Sequence, residues 1–291
     1  MNRLKKTANL LERGMQLLFT ACGFLAVGFV LIITVFLLTS GVPAIDEIGL
    51  TEFLFGKVWA STAAEPSYGI LPFILTSVYG TFGAILIGVP IGLLCAIFLA
   101  KMAHGKLAKT VRSAVDLLSG IPSVVYGLVG MILIVPAVRE FFGLPDGANL
   151  FSAILVLTIM ILPSVISVSE TAIRAVPREY EEASLALGAT KTETVFKVVV
   201  PAAKSGILAS VVLGIGRAIG EAMAVMMVSG NVANMPKLFG SVRFLTTAVA
   251  SEMSYSSGLQ REALFSIALV LFVFILAINL VLNLVVKKEK R

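Results

Sequence analysis

Charged residues are scarce in this chain. Of its 291 residues only 14% are Asp, Glu, Lys or Arg, and 58% are hydrophobic. An average soluble protein has about 25% charged and about 45–50% apolar residues. The mean hydropathy of +0.99 agrees with this imbalance. The composition excludes an ordinary soluble domain, and the excess apolar surface must contact lipid.

Histidine, cysteine and nucleotide-binding motifs are also scarce or missing. His104 is the only histidine and has no second histidine or thiol nearby in the sequence, so no metal site is expected. Cys22 and Cys95 both fall inside apolar blocks, which excludes a disulfide framework in exposed loops. No G-x-x-x-x-G-K-[ST] motif occurs. The chain is therefore not expected to be an enzyme that hydrolyses ATP, nor to bind a cofactor.

Six apolar blocks are long enough to cross a bilayer as helices, since a core about 30 Å thick needs about 20 residues. These blocks predict an all-α membrane protein with a transmembrane domain over residues 15–286, between tails at residues 1–14 and 287–291. The first block lacks a small-residue cleavage site and is predicted to be an uncleaved anchor. The six blocks are residues 15–38, 70–99, 117–138, 150–168, 206–228 and 263–286.

Lysine and arginine are distributed unevenly between the two sides of these blocks. Seventeen of the 23 lie in the two tails and in the connections after the second and fourth blocks, whereas five lie on the opposite side. Cytoplasmic loops carry an excess of lysine and arginine. Both termini are therefore predicted to be cytoplasmic.

The fifth block contains two charged residues, Arg217 and Glu221. A central charge costs about 2.5–3.5 kcal/mol in lipid, and two of them cancel the roughly 4 kcal/mol gained by the block's Leu, Ile and Val residues. The spacing of four predicts that the two side chains share one helix face and pair inside a helix bundle. They either fix the helix register or serve transport, with Arg217 presenting donors to an oxyanion and Glu221 holding or releasing it.

The third block begins with a proline between two serines. Pro122 marks a helix start or break, flanked by Ser119 and Ser123. A break would expose backbone N–H groups that can bind an anion during translocation. In the plainer interpretation Pro122 only starts the helix and the serines cap it.

The connection after the fourth block, at about residues 170–205, is predicted to form two short helices. Pro177 starts the first helix, Gly188 ends it, and Thr190 or Thr192 caps a second helix that runs to Pro201. This arrangement is a compact knob on the cytoplasmic face. An ordinary amphipathic surface hairpin is the alternative.

The same connection resembles the coupling loop of ABC importer permeases, whose pattern is E-A-A-x-x-x-G-x9-I-x-L-P. In that family the loop inserts into a cleft of the ATPase subunit. The resemblance extends over nearly the whole chain to PstC-type permease subunits of phosphate ABC importers, through LSGIPSVVYGL at residues 118–128, AVPREYEEASLALGAT at 175–190 and GRAIGEAMAVMMVSGN at 216–231. The coupling positions are Glu182, Ala183, Ser184 (in place of the second alanine), Gly188 and Pro201, with Val198 and Val200 replacing isoleucine and leucine.

The resemblance implies a type I ABC importer permease fold with cytoplasmic coupling helices, in a prokaryotic plasma (inner) membrane. It implies phosphate as the cargo, with the fifth-span Arg and Glu involved in its passage. It also implies a heterodimer with a related second permease, two ATPase subunits that bind ATP and Mg, and an external phosphate-binding protein.

Three other functions remain open at this point. The cargo could be another oxyanion such as molybdate or sulfate, because composition does not separate these from phosphate. The chain could be an ion-coupled secondary transporter in which Arg217 and Glu221 form a relay, although such carriers usually show internal repeats and more spans. A membrane enzyme is disfavoured, since the sequence has no cluster of His, Asp, Ser or Cys at one membrane depth.

Overall fold

The computed structural model describes residues 2–289, and the side chains of residues 12–281 and of Leu284. Met1, Lys290 and Arg291 of the predicted tails lie outside the described residues. The helices and strands are α1 Asn2–Ile48, α2 Leu50–Phe55, β1 Trp59–Ala60, β2 Ser67–Tyr68, α3 Leu71–Ile97, α4 Gly105–Gly120, α5 Ser123–Val129, α6 Val135–Phe142, α7 Leu150–Arg174, α8 Arg178–Ala186, α9 Lys191–Thr194, α10 Val200–Ala202, α11 Lys204–Gly220, α12 Met223–Val228, α13 Leu245–Glu252 and α14 Gly258–Glu289. Three short π-helical segments accompany these helices. Phe98–Met102 extends α3, Gly130–Ile134 joins α5 to α6, and Val195–Val199 joins α9 to α10.

Five helices of the described chain are long and apolar enough to cross a membrane. A sixth span results if the bent pair Lys191–Ala202 and Lys204–Gly220, which meet at 69°, is counted as one. The predicted all-α membrane fold is confirmed. The five helices are Glu12–Ile48, Leu71–Met102, Ser123–Phe142, Leu150–Arg174 and Gly258–Val281.

Several predicted boundaries differ from the structure, among them those of the N-terminal tail and the third span. Residues 2–14 of the predicted N-terminal tail are helical and continue without a break into the first span. The third span begins at Ser123 rather than at residue 117, because α4 ends at Gly120 and Pro122 precedes α5. A proline disfavours helical geometry in the residue before it, so the chain is extended at Ile121.

The central helix of the described chain is α7, which packs closely on α3. A Cβ added at Gly88 would lie 2.7 Å from Ile161 Cδ1, and one added at Gly92 would lie 2.8 Å from Val165 Cγ1. Glycines one turn apart therefore let the branched side chains of α7 approach the backbone of α3. This contact fixes the frame on which α4, α11 and α12 pack.

One end of the bundle is held by the carboxylate of Glu252, at the end of α13. It accepts hydrogen bonds from Trp59 Nε1 at 3.2 Å and from Gln260 Nε2 at 3.1 Å, and it forms an ion pair with Arg243. Arg243 also donates to the carbonyl of Asn231. These contacts join the β1–β2 hairpin, the segment after α12, and α14, and satisfy a carboxylate that is 8% exposed.

Candidate coupling loop and translocation site

The predicted knob of two short helices after the fourth span is present. Pro177 precedes α8, and Gly188 follows it with φ +87°, a left-handed conformation that favours glycine. Thr190 then begins the second helix, where its hydroxyl accepts from the Glu193 N–H at 3.2 Å and the Glu193 carboxylate accepts from the Thr190 N–H at 3.1 Å. This capping box fixes the start of the second helix. Hydrogen bonds from the Thr190 backbone and side chain, and the neighbouring Lys197, lower the pKa of Glu193 to about 2.

The first helix of the knob presents its surface to the surroundings. None of the side chains of α8 is buried; Leu187, which follows it, is 90% exposed and Tyr180 is 53% exposed. The two side chains are seven residues apart, about two helical turns, and exposed large apolar and aromatic side chains are typical of a surface that another protein covers. Of the predicted coupling residues, Glu182, Ala183, Gly188 and Pro201 are exposed, and Ser184 is half-buried.

The two helices of the knob are tied to each other and to α3. Ser184 Oγ lies 2.9 Å from Thr194 Oγ1, so the position that departs from the family's second alanine joins α8 to α9. Glu181 forms an ion pair with Lys101, in the π-helical turn that ends α3. The knob is therefore attached to two membrane helices, through Lys101 to α3 and through the chain itself to α11.

A buried carboxylate next to this attachment joins three further elements. Glu170 on α7 forms ion pairs with Arg112 on α4 and with Arg174, whose Nε lies 2.8 Å away. Arg174 also donates to the carbonyl of Leu99 at 2.6 Å. The sequence interpretation did not single out this cluster. Its only local signal is the spacing of four between Glu170 and Arg174, because Arg112 lies 58 residues away.

The predicted pairing of Arg217 with Glu221 on one helix face is wrong. The helix α11 ends at Gly220, and Glu221 is extended, with φ −74° and ψ 128°. Its carboxylate instead accepts from the Ala224 N–H at 2.9 Å, and its carbonyl accepts from Thr246 Oγ1 at 2.7 Å. The capping of α12 outcompetes the ion pair because the free N–H groups of a new helix start need acceptors.

Arg217 consequently has no ion-pair or hydrogen-bond partner among the residues that the structure describes. It lines an open groove of about 610 Å³ with Ser164 of α7 and Asn279 of α14. Neither Ser164 nor Asn279 was selected from the sequence, although each is a polar residue within an apolar run. The groove therefore presents one uncompensated cation and two neutral polar side chains within the span region.

The predicted break at Pro122 is present. Ser119 is exposed in the last turn of α4, Ser123 is half-buried as the first residue of α5, and Pro122 stands between the helices. Tyr126 Oη donates to the carbonyl of Leu118 at 2.6 Å, which holds the two helices together across the break. Neither serine hydroxyl has a hydrogen-bond partner within the described part of the chain, so the interpretation of the serines as caps is not supported by their contacts.

The breaks in the third and fifth spans lie side by side. A Cβ added at Gly127 would be 2.8 Å from Ala224 Cα, so α5 and α12 are in backbone contact. Gly127 is four residues after the start of α5 and Ala224 is one after the start of α12, which puts the two helix starts within about one helical turn of each other. Glu221 and the serines around Pro122, at these two breaks, therefore lie in the same part of the bundle, and Arg217 is one helical turn before the break at Glu221.

Comparison with known proteins identifies the type of protein that this fold and loop represent. Residues 88–291 match the family described as "Binding-protein-dependent transport system inner membrane component". The chain belongs to this family. It is thus a multi-pass membrane permease.

Relatives of the permease include phosphate transport proteins. It is 37% identical over 273 residues to "Probable ABC transporter permease protein YqgH" of Bacillus subtilis, which covers 91% of this chain and 88% of that protein. It is 35% identical over 262 residues to "Phosphate transport system permease protein PstC" of Pasteurella multocida, which covers 82% of this chain and 81% of the relative.

Solved structures show the same fold. The MetNI methionine ABC transporter in an inward-facing conformation matches with a TM-score of 0.62 at 21% identity, over 76% of this chain and 96% of that one. A bacterial alginate ABC transporter matches with a TM-score of 0.62 at 16% identity, over 94% of each chain. The permease therefore has the ABC importer type I fold.

Proposed function

We propose that the permease forms half of the translocation path of an ATP-driven phosphate importer, with both termini in the cytoplasm. The observation that carries this function is Arg217, a guanidinium with no ion-pair partner among the described residues, which lines a groove one helical turn before the break in the fifth span. A guanidinium offers planar donors that match the oxygens of a tetrahedral anion. The relatives described as phosphate transport permeases support phosphate over other oxyanions.

The exposed knob that contains Glu182, Ala183, Ser184, Gly188 and Pro201 is proposed to dock on an ATPase subunit that binds ATP and Mg. The partners would be a related second permease, two ATPase subunits and an external phosphate-binding protein. Cycles of ATP hydrolysis would move the knob, and the knob would move α3 through Lys101 and α11 through the chain. The bundle would then alternate between outward and inward access.

Two glycine substitutions test the docking. Gly188→Ala places a side chain at φ +87° in the knob, and Gly143→Ala places one at φ +61° between α6 and α7, where an added Cβ meets no atom within 4 Å. Both changes impose a similar backbone strain of about 1–2 kcal/mol. We expect Gly188→Ala to reduce recovery of the ATPase subunit in co-purification and Gly143→Ala to leave it unchanged. Equal recovery with both variants would contradict docking through this loop.

The role of Arg217 is tested by measuring phosphate uptake with the assembled complex. We expect Arg217→Gln to abolish uptake while the complex still assembles, because the neutral amide no longer attracts the anion. Arg217→Lys keeps the charge and should retain partial uptake, since it loses the planar donors. Arg261→Gln, an exposed position in the first turn of α14, is the charge-matched control. Unimpaired uptake with Arg217→Gln would refute the proposed role.

A further inference from the structure

A groove at the predicted cytoplasmic side of the permease is lined by four cations. Its volume is about 520 Å³, and its charged lining residues are Lys106, Lys109 and Arg112 of α4 and Arg174 at the end of α7. No acidic side chain belongs to its lining. It is separate from the groove at Arg217, which lies between α7, α11 and α14.

The positive charge of this groove is only partly neutralised. Arg112 and Arg174 share the carboxylate of Glu170, and both contact the same oxygen. The two arginine side chains are still about half exposed, at 49% and 48%, whereas that of Glu170 is only 9% exposed and lies behind them. Lys106 and Lys109 are exposed and form no ion pair within the described part of the chain. Four cations against two carboxylates, Glu170 and Asp116, which line the adjoining cavity with Arg112 and Arg174, leave an excess of two positive charges.

The helix α4 also has the surface of a helix that lies in a membrane interface. One side packs into the protein through buried Val115, and the cations occupy a second side at intervals of three residues. Leu107 and Leu117 are 58% and 73% exposed on a third side. An exposed apolar side next to a basic side is typical of helices that rest among lipid headgroups. The exposed leucines therefore favour lipid over an acidic protein surface as the neighbour of this groove.

We propose that this groove binds the phosphate group of an anionic phospholipid of the cytoplasmic leaflet, with the exposed leucines of α4 among its acyl chains. Lys106 and Lys109 bind the phosphate oxygens. The guanidinium groups of Arg112 and Arg174, which also line the groove, add positive charge around the phosphate. Glu170 holds both arginines in place. This site depends on the proposed function only for its cytoplasmic orientation.

Native mass spectrometry of the assembled complex tests the site. The complex is released from nanodiscs that contain equal amounts of phosphatidylcholine and phosphatidylglycerol, and the retained lipid is counted without ATP or transport. The groove variant is Lys106→Gln with Lys109→Gln. The control is Lys57→Gln with Lys237→Gln, two exposed lysines on the predicted external side with the same change in charge.

We expect the groove variant to lower retained phosphatidylglycerol by about fivefold per lysine removed, with phosphatidylcholine unchanged. The control should retain wild-type amounts. Equal loss in both variants, or no loss in either, would overturn the site. Displacement of phosphatidylglycerol by inorganic phosphate would instead assign the groove to free phosphate. Loss of the ATPase subunit from the groove variant, with the lipid retained, would assign the groove to a protein contact. Displacement by phosphate and loss of the ATPase subunit would each overturn the lipid assignment. The lipid count is made without ATP or transport. A failed lipid site would therefore leave the proposed transport function untouched, and a failed transport function would leave the lipid count untouched.

Discussion

The contact between α5 and α12 brings the two span breaks together, and a single methyl group can disturb it. In Gly127→Ala the new Cβ would lie 2.8 Å from Ala224 Cα, 3.2 Å from the Ala224 carbonyl oxygen and 2.8 Å from Met227 Sδ. The methionine sulfur is at the end of a flexible side chain and can move. The Ala224 backbone is less free to move, since its N–H donates a hydrogen bond to the Glu221 carboxylate. The two helices must therefore separate.

Forcing extra volume into a close contact costs typically about 1–3 kcal/mol. We expect Gly127→Ala to lower the midpoint of thermal unfolding in detergent and to reduce phosphate uptake by the assembled complex. Uptake should fall more than the stability loss explains, because the shifted helices begin at the breaks next to Pro122 and Glu221. In Gly120→Ala, at the end of α4, the added Cβ meets no atom within 4 Å. This control should be neutral or slightly stabilising, since alanine favours a helix over glycine by about 1 kcal/mol. Equal stability of both variants would refute the close packing of the breaks.

Further predictions concern the loop and its attachment. Thr190→Ala removes the capping box, and we expect the pKa of Glu193 to rise from about 2 toward 4.5, measured by NMR of labelled glutamate. A depressed pKa contributes stability that is present above pH 4.5 and is lost as the pH falls toward 2. The stability of the variant should therefore lose this pH dependence. An unchanged pKa of Glu193 would contradict the cap. Lys101→Gln should leave the ATPase subunit bound but lower the phosphate uptake per ATP hydrolysed. The double variant Lys101→Glu with Glu181→Lys restores an ion pair and should recover part of this uptake. No recovery would argue against the ion pair as the connection between the knob and α3. Glu170→Gln should lower the unfolding midpoint, because two arginines lose their shared anion; an unchanged midpoint would contradict this role.

The structural features that the sequence predicted are those set by local chemistry. Apolar length defines the spans, Pro122 interrupts the third, and Pro177, Gly188 and Thr190 mark the ends of the loop helices. Each of these signals acts within a few residues of its own position. The resemblance to a permease family used the same local motifs.

The features that the sequence did not predict depend on competing or distant partners. Glu221 could pair with Arg217 or cap α12, and the choice depends on Thr246 and on the packing of α12 against α5. The helix α11 ends at Gly220, so the helix face that the spacing of four implied does not reach Glu221. The cluster around Glu170 requires Arg112 and Leu99 from other helices. Contacts between residues far apart in the chain leave no pattern in one sequence.

The central claim is that the permease works only as part of an ATP-driven phosphate importer. It is tested most directly by uptake of labelled phosphate into proteoliposomes that contain the assembled complex and the external binding protein, with ATP supplied on the side of the knob. Uptake should require both the ATPase subunit and ATP, and unlabelled phosphate should compete while sulfate and molybdate should not. Uptake that persists without the ATPase subunit, or that sulfate or molybdate inhibits as strongly as phosphate does, would contradict the account.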